Sequence, residues 1–475
     1  MNRRSFLRTL ATGASAALVS TLVSCSSQAK RPNILFIAVD DLRPQLGCFG
    51  IDQIHSPNID KLASVSFQAE NAYCNVPVCG ASRASLLTGV RPTFDRFRTF
   101  ATWADKDLPG NVSLPEYFRN NGYYTVSNGK VFHHETDGEG SWSEKDWRPG
   151  GKNWRDYVTP ESLAIADQNQ SGSGPAFEMA DVEDNAYFDG QTAERTMNDL
   201  ERLSKLDQPF FLAAGFLKPH LPFNAPKKYW DMYNREEINM ADNPFPPANA
   251  PDAALHNWGE LRDYTNIPDE GPLTDEMART LVHGYYACVS FTDAQVGKVL
   301  NKLDELGLAD NTIVVLWGDH GWNLREHGLW CKHCNFNTSL RAPLLVHVPG
   351  MTDKGVKSKR LVEFVDIYPT LCELSGLPIP DYTEGSSMVP LIKNPERTWK
   401  QGVFSRFHNG ETITTERYSY TEWREKDGQL YARMLYDHTA DPKENVNIAE
   451  EPENAQLVEK LAARLKAGWK SELPG

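Results

Sequence analysis

The segment Cys79–Arg83, of sequence CGASR, contains the residue types whose spacing points most directly to chemistry. An apolar run that includes Leu86 and ends before Gly89 predicts a packed helix, with Cys79 at the junction between a loop and this helix. Unpaired backbone N–H groups and the helix dipole favour an anion at such a place. Arg83 lies one turn further along the same face and adds a planar cation. The segment therefore predicts an anion site, provided that other polar residues converge on it.

Other polar residues are expected to converge because four apolar segments each lead into a pair of them. The segments, each with its polar residues, are Asn33–Val39 (Asp40, Asp41), Tyr123–Ser127 (Lys130, His133), Phe210–Phe216 (Lys218, His220) and Thr312–Trp317 (Asp319, His320). Fully apolar segments of this length are typical of buried parallel strands. A single pair of this kind has a non-functional explanation, because a loop carboxylate is usually solvated and a lone histidine is usually structural. Four pairs favour one common site beyond the carboxyl ends of the strands.

On these residues the chain resembles the sulfatase family, within it the branch of iduronate-2-sulfatase-like enzymes. The motifs that carry the resemblance are Val39–Pro44, Ser56–Asp60, Val78–Arg83, Gly129–His133, Lys218–Phe223, Gly318–Trp322, Glu326–Gly328, Trp330–Lys332 and Tyr420–Arg424. Their spread over almost the whole chain from about Arg31 makes the signal specific. The resemblance implies an alkaline-phosphatase-like α/β fold, with a large, mostly parallel mixed sheet sandwiched by helices in a catalytic domain of residues 31–387. A smaller α+β subdomain of antiparallel strands and a helix is expected at residues 388–475.

Three carboxylates, Asp40, Asp41 and Asp319, would repel one another in one pocket unless a cation joined them. A divalent metal is therefore expected, and oxygen ligands favour Ca²⁺ or Mg²⁺ over zinc. The resemblance points to one Ca²⁺, with His320 and the modified Cys79 completing the ligands. A cluster of carboxylates that share a proton is the alternative.

The resemblance implies that Cys79 is converted to formylglycine (3-oxoalanine) by a formylglycine-generating maturation enzyme. One hydroxyl of the hydrated aldehyde, held by the metal and Arg83, would attack the sulfur of a sulfate ester. Loss of the proton from the second hydroxyl would then expel sulfate. Most family members have proline where this chain has Ala81. Which maturation enzyme reads the motif, and how completely, stays open.

The remaining roles also follow from the resemblance. His133 is the expected base, with Lys130 close to the aldehyde and the sulfate. His220 is the expected acid for the departing sugar oxygen, and Lys332 would clamp sulfate oxygens. The alternative for Lys332 is a solvated surface lysine. Contacts to the sugar or its carboxylate are expected from Trp322, Trp330, His333 and Arg98, although an aromatic residue is more often part of the core.

The expected substrate is a 2-O-sulfated uronic acid at the end of a glycosaminoglycan oligosaccharide. Another sulfated glycan, including an algal one, is an alternative, as are a phosphonate or phosphate ester hydrolase of the same fold and a non-catalytic glycan-binding lipoprotein. The formal net charge of −14 disfavours nucleic acid as a partner and gives long polyanions no general attraction. Short oligosaccharides or chain ends, bound in a locally basic pocket, are therefore expected.

The N-terminal residues 1–25 resemble a twin-arginine export signal and a lipoprotein signal. Arg3 and Arg4 precede a weakly apolar stretch rich in small residues, and Leu22–Cys25 resembles a lipobox with Cys25 as the lipidated residue. This stretch is too short and too rich in Ser, Thr and Ala for a transmembrane anchor. An exported lipoprotein of the bacterial periplasm or cell surface is expected, in contact with the membrane only through its lipid.

Periodicity predicts the other elements. Helices are expected at 275–306, 361–374 and 454–473, strands at 403–407, 417–421 and 432–436, and long loops near the pocket mouth at 142–174 and 243–271.

Cys331 and Cys334 have a Cys-x-x-Cys spacing that fits zinc or redox chemistry. The chain has no second pair at finger-like spacing, so zinc is disfavoured. The sequence leaves disulfide pairing open.

Overall fold

The structure is a computed structural model that describes residues 31–150, 153–351 and 353–474. The expected export signal and Cys25 lie outside the described residues. Within those ranges, no helix combines the length and the apolar character that a membrane span requires.

Strands and helices are numbered along the described chain. The strands are β1 (Asn33–Val39), β2 (Phe67–Tyr73), β3 (Tyr124–Gly129), β4 (Phe177–Ala180), β5 (Phe210–Phe216), β6 (Phe223–Pro226), β7 (Thr312–Gly318), β8 (Asn323–Leu324), β9 (Trp330–Cys331), β10 (Leu344–His347), β11 (Val356–Glu363), β12 (Val403–Phe407), β13 (Gly410–Thr414), β14 (Tyr418–Arg424) and β15 (Leu430–Asp437). The α-helices are α1 (Pro57–Ala63), α2 (Cys79–Thr88), α3 (Ala104–Asp107), α4 (Leu114–Asn120), α5 (Pro160–Gln168), α6 (Phe188–Leu203), α7 (Lys227–Trp230), α8 (Gly259–Arg262), α9 (Asp275–Glu305), α10 (Asn337–Leu340), α11 (Ile367–Leu374), α12 (Val389–Lys393) and α13 (Ala455–Ala467).

The central sheet has seven strands in the order β11-β2-β10-β7-β1-β5-β3. All run in one direction except β10, which is antiparallel to both of its neighbours. In the register of β1, Val39 lies opposite Phe216 of β5 and Gly318 of β7. The polar residues that follow these strands therefore leave the sheet at one edge. The expected mostly parallel sheet is confirmed.

Alternate residues of β1 explain why this strand is apolar throughout. Leu35 and Ile37 belong to a core cluster that includes residues of α6 and α9, whereas Phe36 belongs to a second cluster that includes residues of α2 and α11. Helices thus cover both faces of the sheet, as in other α/β proteins with parallel strands. The long helix α9 was expected within one residue of its observed bounds.

The second sheet, β12-β13-β14-β15, is an antiparallel meander near the C-terminus. Helix α13 packs on it through Leu461 and Leu465, which share a core cluster with Ile413. Strand β13 was not predicted, because its sequence GETIT has no apolar run. The expected terminal helix is shorter than predicted and ends at Ala467, because Gly468 adopts a φ of 77°. The boundary between residues 387 and 388 stays a prediction.

The segment 361–374 is not one helix, contrary to the expectation. Its first three residues complete β11, where Leu361 and Val362 pair with β2, and only Ile367–Leu374 is α-helical. Between them, the side chains of Glu363 and Asp366 cap a short 3-10 turn. The two expected long loops also contain helices, namely α5 in the first and α8 in the second.

Candidate active site

Cys79 is the first residue of α2, as predicted, and its side chain is buried below the carboxyl edge of the sheet. Its Sγ lies 3.3 Å from Nε2 of His320 and 3.8 Å from Oδ1 of Asp41. Burial, together with the charge of Asp40, raises the pKa of the Cys79 thiol well above its ordinary value. Burial therefore favours the thiol over the thiolate in unmodified Cys79, and a thiol is a poor nucleophile. The anion site at the start of α2 stays a prediction.

The three carboxylates predicted to share a cation do meet. One oxygen from each of Asp40, Asp41 and Asp319 lies within 4.8 Å of the others, and all three residues are fully buried. Nε2 of His320 lies 3.4 Å from Asp41 and 3.6 Å from Asp319. The pairing of β1 with β7 brings these side chains together, because both strands end at the same edge.

The donor atoms of this cluster suit a hard divalent ion. Nδ1 of His320 donates to the carbonyl of Gly321 at 2.9 Å, and Nε2 is therefore the ring nitrogen that faces the carboxylates and could reach a metal. Burial raises the pKa of Asp41 to about 7 despite the adjacent Lys332. A cation would relieve the penalty of burying this carboxylate. A mainly oxygen donor set suits Ca²⁺ or Mg²⁺.

Arg83 lies beneath this cluster, completely buried. Its Nε donates to Asp319 at 2.9 Å, and its Nη2 donates to Asp40 at 3.2 Å. Its Nη1 donates to the carbonyls of Lys130 and Val131, just beyond β3. Burial lowers the pKa of Arg83, but the charges of Asp319 and Asp40 raise it by more, so that it lies above its ordinary value. Among the described residues its hydrogen bonds reach acidic and carbonyl oxygens rather than Cys79, so Arg83 positions the carboxylates that are expected to hold the metal.

A cavity of about 970 Å³ opens beside Cys79. The predicted residues that line it are Cys79, Lys130, His133, His220, Lys332 and His333. Burial raises the pKa of Asp40, but Lys130 and Arg83 hold it well below its ordinary value, so that Lys130 faces a carboxylate. The lysines and histidines that the sequence predicted at the site therefore line one cavity.

Lys332 is buried, which rules out a solvated surface lysine. Its Nζ lies 3.1 Å from both carboxylate oxygens of Asp41 and 2.8 Å from Oε1 of Glu260. Burial lowers the pKa of Lys332, but the charge of Asp41 and other nearby acidic groups raise it by more, so that it lies well above its ordinary value. Lys332 therefore brings a permanent positive charge to the base of the cavity.

His133 provides a neutral imidazole. Burial lowers its pKa to about 2, and the charge of Lys130 acts in the same direction. Its buried Nδ1 has no hydrogen-bond partner within the described part of the chain. A nitrogen in this state can exchange a proton with a bound molecule.

His220 carries the features of a proton donor. Its Nδ1 donates to the carbonyl of Leu221 at 2.6 Å, and its Nε2 lies 3.1 Å from Oε1 of Glu260. Burial raises the pKa of Glu260, but Lys332 and His220 hold it well below its ordinary value, so this carboxylate carries no proton. The short contact then requires a hydrogen on Nε2, although burial lowers the pKa of His220.

Glu260 is the residue that sequence reasoning missed. It lies on α8, within the stretch expected to be a loop at the pocket mouth, and no motif surrounds it. The only available signal was the placement of that stretch near the pocket.

The structure does not place Trp322 and Trp330 where sugar contacts were expected. Both are buried in the hydrophobic core and neither lines the cavity. The ring of Trp322 instead supports Lys332, whose Nζ lies 4.9 Å from the ring centroid. Arg98 also lies outside the lining and packs over the ring of Phe94. Of the four expected contacts, only His333 borders the cavity.

Cys331 and Cys334 are buried free thiols. Sγ of Cys334 contacts the hydroxyl of Ser339 at 3.0 Å. Within the described residues neither sulfur belongs to a group of side chains with metal-binding spacing.

The chain is similar in sequence to known proteins. The profile of the Sulfatase family matches residues 32–377, and a profile of the C-terminal region of N-sulphoglucosamine sulphohydrolase matches residues 325–471. The chain is 37% identical to iduronate 2-sulfatase of Mus musculus over 389 residues, which cover 73% of this chain and 69% of the relative. It is 32% identical over 488 residues to a sulfatase of Formosa agariphila, with 95% and 92% covered.

A solved structure of a protein in complex with its substrate D-glucosamine-2-N,6-O-disulfate has the same fold. Its TM-score is 0.74 at 22% identity, with 92% of this chain and 97% of that chain covered. The chain belongs to the sulfatase family. It is a sulfuric ester hydrolase.

Proposed function

We propose that this sulfatase removes the 2-O-sulfate of a uronic acid at the end of a glycosaminoglycan oligosaccharide. One observation carries the proposal: Cys79 lies against the acidic cluster, 3.8 Å from Asp41, at the base of a cavity lined by Lys130, His220 and Lys332. The identity of 37% to an iduronate 2-sulfatase supports the sugar and the sulfate position.

The proposal includes a formylglycine at position 79 and one Ca²⁺. Formylglycine would supply, once hydrated, a hydroxyl nucleophile for the sulfate ester, and Asp40, Asp41, Asp319 and His320 would hold the ion. Lys130 and Lys332 neutralise and orient the sulfate oxygens from the wall of the cavity. His220 donates a proton from Nε2 to the departing sugar oxygen, and His133 accepts a proton in the release of sulfate.

The dimensions and charge of the protein support action at chain ends. A cavity of about 970 Å³ suits one or two sugar rings. The formal net charge of −14 repels a long polyanion outside this locally basic cavity. Initial rates on a sulfated disaccharide and on its intact polymer test this point. Faster removal of internal sulfates from the polymer would contradict it.

The substrate is tested by product analysis on a panel of disaccharides that differ only in the position of one sulfate. The wild-type protein is expected to release sulfate fastest from a non-reducing 2-O-sulfated uronate, and a Cys79→Ala variant is expected to release none. Faster release from 6-O- or N-sulfated glucosamine would contradict the substrate assignment. A matched pair of aryl sulfate and aryl phosphonate tests the ester class, and the sulfate is expected to react faster.

We also propose export as a lipoprotein to the bacterial periplasm or cell surface, after conversion of Cys79 by a maturation enzyme. The twin arginines Arg3 and Arg4 and the lipobox-like Leu22–Cys25 support export.

A further inference from the structure

Trp154 and Phe100 are the two large aromatic residues of the described cavity lining that are exposed. Trp154 is 49% exposed and Phe100 is 65% exposed, and both line the same cavity as Cys79 and His220. Of the two, Trp154 packs against the ring of His220. Large aromatic side chains tend to be well buried, and an exposed one in a concave site is typical of ligand binding. Trp154 therefore offers an open indole surface to a molecule in the cavity.

The indole of Trp154 is held in place from one side. The guanidinium of Arg155 lies over the ring, 4.6 Å from its centroid. Arg155 is itself fixed, since it donates to Asp263 at 2.7 Å and to the carbonyl of Ser171 at 2.8 Å. An aromatic residue ordered before binding loses little conformational entropy when a ligand packs on it.

The position of Trp154 relative to His220 indicates what packs on it. The two ring centroids are 5.5 Å apart, at an interplanar angle of 81°. In the proposed reaction His220 protonates the oxygen that links the sugar to sulfur, so the sugar that carries the sulfate lies beside both rings. Pyranose rings present polarised C–H groups, which the negative face of an aromatic ring attracts.

We propose that Trp154 is the sugar-stacking residue of this cavity and packs against the pyranose ring that carries the scissile sulfate. The inference deepens the proposed function and rests on it, because it takes its ligand from that reaction. Sulfate is recognised at the base of the cavity by Lys130 and Lys332, whereas Trp154 recognises the ring that bears it. Loss of the indole should therefore weaken the binding of sulfated sugars and spare that of inorganic sulfate.

The experiment measures binding by calorimetry in a full-length Cys79→Ala background, where no turnover occurs. A 2-O-sulfated uronate disaccharide and inorganic sulfate are titrated into this parent and into its Trp154→Ala, Trp154→Phe and Tyr431→Ala derivatives. Tyr431 is the matched control, since it is a 46% exposed aromatic residue outside the cavity lining in the described structure. Trp154→Ala is expected to weaken disaccharide binding by about 10- to 100-fold. Trp154→Phe should retain most of the affinity, and Tyr431→Ala all of it.

Equal disaccharide affinity in the parent and in Trp154→Ala would overturn the inference. Equal weakening of disaccharide and inorganic sulfate would overturn it as well, because the effect would not concern the sugar ring. Failure of the proposed function gives a different result, because the wild-type protein would then release no sulfate from the disaccharide. The affinities measured in the Cys79→Ala background would still report the contribution of Trp154 to binding.

Discussion

Oε1 of Glu260 lies 3.1 Å from Nε2 of His220. The same oxygen lies 2.8 Å from Nζ of Lys332, so one carboxylate holds both the expected proton donor and the expected sulfate-binding cation. Glu260 thereby fixes the orientation of two groups that act on opposite ends of the scissile bond. It is a positioning residue in this account.

Replacement of Glu260 by glutamine should slow the hydrolysis of sulfated sugars by about 10- to 100-fold in kcat, because His220 loses the carboxylate that orients its proton. An activated aryl sulfate needs little protonation of its leaving group, so its kcat should fall less. The two kcat values are compared with those of Glu270→Gln, which changes an exposed glutamate. An equal loss on both substrates would contradict the role in leaving-group protonation.

If the proposed divalent ion is bound, its removal should abolish activity and lower the melting temperature, because the buried carboxylates then repel one another. Readdition of Ca²⁺ at about 100 times its Kd should restore ~2.7 kcal/mol of stability. The measurement is thermal unfolding with chelator and with added Ca²⁺. Asp319→Asn should lose this response, and Asp310→Asn, a change at an exposed site, should keep it. A melting temperature that responds to neither chelator nor Ca²⁺ would refute the metal site.

The sequence predicted the acidic cluster well because of a simple physical regularity. Strands buried on both faces are apolar from end to end, so β1 and β7 are visible as runs that stop where Asp40 and Asp319 begin. Parallel strands end at the same edge, and this places their following residues together.

The walls of the cavity were predicted less well. Glu260 belongs to a one-turn helix without periodicity, and its partners His220 and Lys332 come from distant parts of the chain. Trp322 and Trp330 lie within predicted motifs, but tertiary packing directs both side chains into the core. Proximity in sequence to a catalytic motif gave no information about the direction of these side chains.

Glu363 should make stability depend on pH. It is buried between Arg91, at 2.6 Å, and Lys400, at 2.7 Å. Burial raises the pKa of Glu363, but Arg91 and Lys400 lower it from 4.5 to about 2. Because the folded-state pKa is depressed, this contribution to stability is fully present above the unfolded value and is lost as the pH falls through about 2.

Glu363→Gln should therefore lower the free energy of unfolding by about 3 kcal/mol near neutral pH, since it removes the carboxylate that pairs with the buried Arg91 and leaves Lys400 with Asp366 alone. The difference from the wild type should shrink as the pH falls below 4.5. Denaturant unfolding of both proteins over a pH series measures it. Glu373→Gln, at an exposed position, is the control. A constant difference over the whole series would contradict the assignment.

Cys25→Ala should release the protein from the membrane fraction of an expressing bacterium, because the proposed lipid is attached to this residue. Cell fractionation and metabolic labelling with a fatty acid measure the change. Cys48→Ala is the matched control, and it should stay lipidated and membrane-associated. Identical fractionation and labelling of the Cys25→Ala protein and the wild type would contradict lipidation at this position.

Mass spectrometry of the peptide that contains Cys79, from active protein purified from its native host, tests the proposed nucleophile most directly. Formylglycine is expected, in which the sulfur and two hydrogens of cysteine are replaced by one oxygen. Activity should increase with the modified fraction across preparations. A fully active preparation in which this residue is entirely unmodified cysteine would contradict the account.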